Sequence, residues 1–239
     1  MKRLKQDMDI LLHCNMCFVG GFLGAYAILL RGGNFGSAQT ANLIHLILHW
    51  KSGSAFEIVA RLLALAVFVV AIVAAFLLPK YIKSDARRIC LLVEAAGLMI
   101  AGLLPAKMND MIALLPIFFI TAFQWGNFSG ARGYNSATIF STNNLKQMVL
   151  GWTEYIRTKN SKEKEKALFY TATLAFFHLG VLGGLLAVRW WSIYSAFACL
   201  IPLGCAWGLV ETDLARSRRQ SSVMVVAEDP CGGVQTLAE

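Results

Sequence analysis

Residues 34–50 read NFGSAQTANLIHLILHW. Asn, Gly, Ser, Gln, Thr and Asn open the stretch, apolar residues follow, and Trp50 closes it. On either side run apolar segments, about 10–30 and 55–78, each long enough to cross a bilayer. The helical part, 37–50, has about 14 residues, or about 21 Å at 1.5 Å per residue. A hydrocarbon core is about 30 Å thick. The stretch therefore reads as a half-helix whose polar start lies inside protein, because lipid offers no partner for bare backbone groups.

A second copy lies about a hundred residues on. TANLIHLILHW (40–50) aligns with TNNLKQMVLGW (142–152), with Thr, Asn, Leu, Leu and Trp coinciding. Upstream, GFLGAYAILLRG (21–32) lies over AFQWGNFSGARG (122–133), pairing Phe22 with Phe123, Arg31 with Arg132 and Gly32 with Gly133. The chain reads as an internal duplication divided near Pro105.

Composition sets the medium. Of 239 residues, 57% are hydrophobic and 15% charged, against about 25% charged in soluble domains. Apolar runs cover about 10–30, 55–78, 89–104, 111–131, 167–188 and 190–210. The net charge of +8 gathers in loops and at the ends, a positive-inside pattern that argues against nucleic acid as a partner. Re-entrant pieces at 37–50 and 139–152 make the loops alternate. Lys80, Lys83, Arg87, Arg88, the RTKNSKEKEK loop and both termini then share the cytoplasmic face.

The expected architecture is an all-α polytopic membrane protein with six transmembrane helices and two re-entrant half-helices. Residues 1–105 and 106–210 each hold three spans and one half-helix, and 211–239 is a disordered cytoplasmic tail. Three spans per half is an odd number, so the second half is inverted relative to the first: a 3+3 inverted repeat. Transporters built this way bind near the midplane at broken helices.

Two half-helix N-termini, each with unpaired N–H groups and a partial positive charge, then converge inside the membrane. The candidate substrate-binding residues are Ser37, Gln39, Thr40, Asn42, Gln124, Asn127, Ser141, Thr142, Asn143 and Asn144. Capping alone, or capping plus ligand contact, accounts for these side chains equally well. Arg31, Arg132, Glu94 and His178 are candidates for coupling or gating. Arg31 and Arg132 also fit as interface anchors, Glu94 as a partner of Arg87 or Arg88, and His178 as a hydrogen-bonded neutral histidine. Glu57 and Arg61, at i,i+4, read as a local ion pair. His45 and His49 share a helix face, and Cys14 and Cys17 form a CxxC beside His13. Neither has a completing ligand set, so no metal or other cofactor is expected.

The glycine-rich first span, the break and the Gln39-Thr40-x-Asn42-Leu43 helix resemble the YoaK-like family of small bacterial membrane proteins. FQWGN (123–127) and ATIFSTNNL (137–145) are similar to its second repeat. The resemblance covers most of 10–210 and implies a multi-pass protein of the bacterial cytoplasmic membrane. The family's Thr-Gly-Asn stands here as Thr40-Ala41-Asn42 and Thr142-Asn143-Asn144. An acidic residue that the family often carries in its first span is Gly24 here, which removes any role tied to it.

The functional expectation is a secondary transporter or facilitator of a small polar or anionic solute. A channel lined by the same half-helices is the alternative, and an intramembrane enzyme or a binding or scaffold protein ranks below both. Enzymatic activity is not expected, since no serine–histidine arrangement, HExxH motif or nucleotide loop is present. Gly20, Gly21 and Gly24, with Gly180, Gly183 and Gly184, form small faces suited to close helix packing within the fold or in a homodimer.

Overall fold

The computed structural model describes residues 2–48 and 54–227. His49, Trp50 and Lys51 lie outside the described residues, as do residues 228–239 of the tail. In chain order the elements are α1 (Lys2–Leu30), α2 (Thr40–Leu48), α3 (Ala55–Tyr81), α4 (Ala86–Leu103), the single turn α5 (Asp110–Ala113) and α6 (Leu115–Asn127). A hairpin of β1 (Gly130–Ala131) and β2 (Tyr134–Asn135) follows, with Gly130 opposite Asn135. Then come α7 (Thr142–Thr158), α8 (Ser161–Trp191), a 3-10 segment (Ser192–Cys199) and α9 (Leu200–Ala227). The fold is all-α apart from that hairpin. Asp7–Leu30, Ala55–Tyr81 and Ser161–Arg219 are long and apolar enough to cross a membrane. The last of these contains the turn at Ser192, where φ is 49°.

Burial is inverted relative to a water-soluble fold. On α3 the buried residues are Ala60, Ala64, Phe68, Ala71 and Ala75, whereas Phe56, Val59, Val70 and Phe76 face outward, each more than half exposed. Small residues let backbones approach, and large apolar ones meet an apolar medium. The same logic joins α1 to α8. A Cβ on Gly21 would run into the Phe177 carbonyl oxygen, and one on Gly180 into that of Phe18. The predicted small faces are thus used inside the fold.

Packing is exchanged between the halves. The aligned stretches of sequence set α1 beside α6 and α2 beside α7, and chain order then sets α3 beside α8 and α4 beside the 3-10 segment with α9. Helix α1 packs along α8, and α6 along α3; α1 meets α9, and α6 meets α4. One end of the bundle gathers Asp7 with Arg132, Arg87 with Asp85 and Asp213, and Arg88 with Glu211. The other end gathers Arg31 against the Pro105 and Ala106 carbonyls, and Arg61 against Met111.

Four sequence expectations need correction. The second short helix is longer than 139–152: α7 runs to Thr158, where Lys159 adopts φ 56° and ends it. Its extension, TEYIRT, carries the Glu154–Arg157 pair on an exposed face. The fourth apolar run stops at Asn127, because the positive φ angles of Gly130, Arg132 and Gly133 turn the chain into the hairpin. Helical structure continues past residue 210 to Ala227, held at its start by the Asp213–Arg87 and Glu211–Arg88 pairs. Arg61 does not pair with the exposed Glu57; it reaches across to Asn42.

Candidate functional site

The first break begins where Gly32 and Gly33, with φ of 59° and 74°, end α1. Phe35 lies against Gly24, and Gly36 against Ile117. The chain then starts α2 at Thr40. An arginine only donates, so the Arg61 Nη1 bond to Asn42 Oδ1 (3.2 Å) fixes that oxygen as acceptor. Asn42 Nδ2 therefore donates to Gln39 Oε1 (3.1 Å), which leaves Gln39 Nε2 a donor without a partner. Ser37 is fully buried and its Oγ has no partner either.

The second break follows the hairpin. Asn144 Nδ2 donates to the Ala137 carbonyl (2.7 Å), so its Oδ1 accepts from the Ser136 hydroxyl (3.0 Å). With that hydroxyl proton committed, Ser136 Oγ must accept from His13 Nε2–H (3.0 Å). His13 is thereby fixed in one tautomer, stacked on Phe169, with Nδ1 a buried acceptor lacking a partner. Gln124 Nε2 donates to the Met16 carbonyl (2.8 Å) and to Thr138 Oγ1 (3.0 Å), leaving its Oε1 bare.

The breaks meet on α6. The single Thr121 hydroxyl proton is shared between the Ile117 carbonyl of its own helix (2.7 Å) and the Gly36 carbonyl of the first break (3.0 Å), while Gln124, one turn on, holds Thr138 of the second. Both side chains are fully buried. A cavity of about 550 Å³ is lined by Phe35 from the first break and by Phe140, Ser141 and Thr142 from the second, with Gly24 and Phe177 among its other walls.

The predicted residues divide by what they touch. Asn42 and Asn144 are buried with both amide atoms engaged, so they brace the breaks. Ser37, Gln39 and Gln124 keep an unused polar atom. Ser141 and Thr142 line the shared cavity, and Thr40, Thr142 and Asn143 are exposed. Asn127 donates to the Phe123 carbonyl of its own helix and lines a separate polar pocket of about 570 Å³. That pocket also holds Asp9, His13, Arg87 and Arg132. Hydrogen bonding to Asp85 raises Arg87 above the ordinary guanidinium value despite partial burial.

The repeat-matched arginines differ. Arg31 is buried, and its bonds are to the Pro105 and Ala106 carbonyls, with Nε and Nη2 unused. Arg132 pairs with Asp7 near the surface. Glu94 is fully buried, takes a bond from Cys90 Sγ (3.3 Å) and has a bare Oε2. Arg87 and Arg88 do not reach it; they pair with Asp85 and Asp213, and with Glu211. His178 is exposed, with its Nδ1 on the Leu174 carbonyl (2.8 Å). Cys14 and Cys17 are buried on α1, and His45 is exposed on α2. His13, Arg61, Ser136 and Thr138 were not singled out as site residues from sequence. Only the CxxC beside His13 and the i,i+4 spacing of Arg61 from Glu57 had drawn notice.

The sequence profile of a family described as proteins of unknown function, DUF1275, matches residues 12–209. The chain belongs to the DUF1275 family. That match spans both breaks and every helix that packs on them. No curated protein and no solved structure matches the chain.

Proposed function

We propose that this DUF1275 protein is a secondary transporter of the bacterial cytoplasmic membrane, carrying a small solute between two re-entrant breaks. The observation that carries the reading is the shared cavity, to which Phe35 comes from one break and Phe140, Ser141 and Thr142 from the other. The exchanged packing of the halves supports a 3+3 inverted repeat of six spans and two half-helices. The Lys83 and Arg87 loop and the α7–α8 loop lie at the end holding Asp7 and Asp213, which supports a cytoplasmic assignment for both termini. The paired Thr-x-Asn motifs support the narrower YoaK-like kinship.

Alternating access needs the breaks to be held yet separable. Asn42 and Asn144 do the holding, and the contacts of α6 with the first half, Thr121 to the Gly36 carbonyl and Gln124 to the Met16 carbonyl, are those that rocking of one half against the other would exchange.

The test is solute flux. In proteoliposomes loaded by counterflow with radiolabelled amino acids, carboxylates or amines, wild-type protein accumulates one class. The Asn42→Ala/Asn144→Ala double variant, inserted to the same level, does not. Equal flux in the double variant contradicts the proposal, and unitary currents far above carrier turnover assign the fold to a pore instead.

A further inference from the structure

At the end of the bundle that holds Asp7 and Asp213, the polar pocket of about 570 Å³ opens between α1, the start of α4 and the β1–β2 hairpin. It shares no lining residue with the apolar cavity between the breaks. His13 forms part of its wall, although that residue is only 2% exposed. Ser136, which takes the His13 Nε2–H, is not on the wall. Nδ1 is the ring's other nitrogen, an acceptor with no partner. A buried acceptor left bare is costly, and an occupant that brings a donor to it removes the cost.

The rest of the wall says what kind of donor fits. Asp9 stands four residues before His13, on the same face of α1, and lines the same pocket. Asn127 has its Nδ2 on the Phe123 carbonyl, which leaves Oδ1 as its acceptor. Two guanidinium groups also line the pocket, and both are met by carboxylates. Arg87 spends Nε and Nη2 on Asp85 and Nη1 on Asp213, and Arg132 holds Asp7. With Asp9, four carboxylates stand against two arginines, so the charge balance around the pocket is negative. An anion would have to displace these pairs, whereas a cation with N–H groups meets acceptors already in place.

We propose that this pocket binds an organic ammonium ion, a protonated primary or secondary amine, whose N–H groups donate to His13 Nδ1 and to Asp9. The site goes beyond the transport reading, since it lies outside the cavity that carries that reading and needs no flux. It meets the second break through one side chain: the ring on the pocket wall also holds Ser136, and Ser136 holds Asn144. Donation to Nδ1 fixes the tautomer in which Nε2 carries the proton, so an occupant favours the chain of bonds that braces that break.

The experiment is ligand binding to the purified full-length protein in a non-ionic detergent, read by calorimetry and thermal shift. One pH near neutrality is used, with sodium chloride present to screen loose attraction. Butylamine, putrescine and spermidine are compared with N,N,N-trimethylbutylammonium, which keeps the charge and lacks N–H groups, and with inorganic phosphate. At least one of the three amines binds. The quaternary ion binds at least about tenfold more weakly than that amine, and phosphate gives no response. Asp9→Asn and His13→Gln each weaken amine binding by about tenfold or more. A glutamine amide can still donate to Ser136, so His13→Gln isolates the loss of Nδ1, and Asp9→Asn supplies the same reading without touching the ring.

Failure of all three amines to bind overturns the proposal. So does a quaternary ion that binds as tightly as the amines, phosphate binding in their place, or undiminished amine affinity in either folded variant.

Discussion

Thr121 and Gln124 stand one turn apart on the buried face of α6, and each is bonded to a different break, Thr121 to Gly36 and Gln124 to Thr138. Two chain segments more than a hundred residues apart are thereby held on a single helix face. Both breaks bring backbone without regular structure into the middle of a bundle whose outer surface is apolar. Such backbone persists in an apolar medium only where protein groups satisfy it. Asn144, which donates to the Ala137 carbonyl, and Thr121, whose hydroxyl lies 3.0 Å from the Gly36 carbonyl, supply two of those groups.

Bracing predicts a stability cost. Asn144→Ala strands the Ala137 carbonyl and the Ser136 hydroxyl, both buried, and should lower stability by about 1–3 kcal/mol in denaturant titration. Ser37→Ala removes a hydroxyl that has no partner and should cost nothing measurable. Equal losses in the two variants would refute the division into bracing and unused groups.

Close packing of α1 on α8 leaves no room for a side chain. Gly21→Val and Gly180→Val each drive a branched Cβ into a main-chain carbonyl oxygen, which no rotamer relieves. The expected loss is about 3 kcal/mol or a failure to accumulate in the membrane. Gly204→Val, at a position with open space beside it, should accumulate normally. Size-exclusion profiles of the three variants check this.

Glu94 is fully buried with Cys90 as its bonded neighbour, and among the described residues no cation forms an ion pair with it. Substituting an uncharged isostere removes the risk of burying a charge, so Glu94→Gln should match or exceed wild-type stability. Glu94→Ala should lose about 1–3 kcal/mol through the void it leaves. Thermal unfolding at one fixed pH separates these outcomes.

The start of the helix beyond residue 210 depends on ion pairs to α4. Arg87→Ala frees Asp213 and should speed tryptic cleavage at Arg216, Arg218 and Arg219 severalfold, with the core bands intact. Unchanged digestion would mean that α9 holds without α4.

Much of this was legible in the sequence, for identifiable reasons. The long apolar runs and the polar-to-apolar switches at Thr40 and Thr142 are local signals, and the observed helices start at those threonines. Sequence alignment set Arg31 beside Arg132, but their contacts differ, main-chain carbonyls for one and Asp7 for the other. What was not legible depends on contacts between distant residues. His13 joins Ser136 across 123 positions, and nothing around either residue announces the other. Arg61 looked committed to Glu57 because an i,i+4 spacing is visible in sequence, whereas the approach of Asn42 from a separate helix is not. The full length of α7 is not visible in the aligned stretch, which ends at Trp152. The Trp152 Nε1–H donates to Thr171 of α8, and the helix runs on for another six residues.

The central claim is that the two breaks enter the protein from opposite faces of the membrane. Single cysteines at the exposed positions Lys83, Lys107 and Lys162, in a background where Cys205 and Cys231 are serine, can be labelled with a membrane-impermeant maleimide in vesicles of known orientation. With re-entrant breaks, positions 83 and 162 label from the same face and 107 from the other. If the short helices cross instead, 83 labels from the face opposite to 162 and 107, and the account fails.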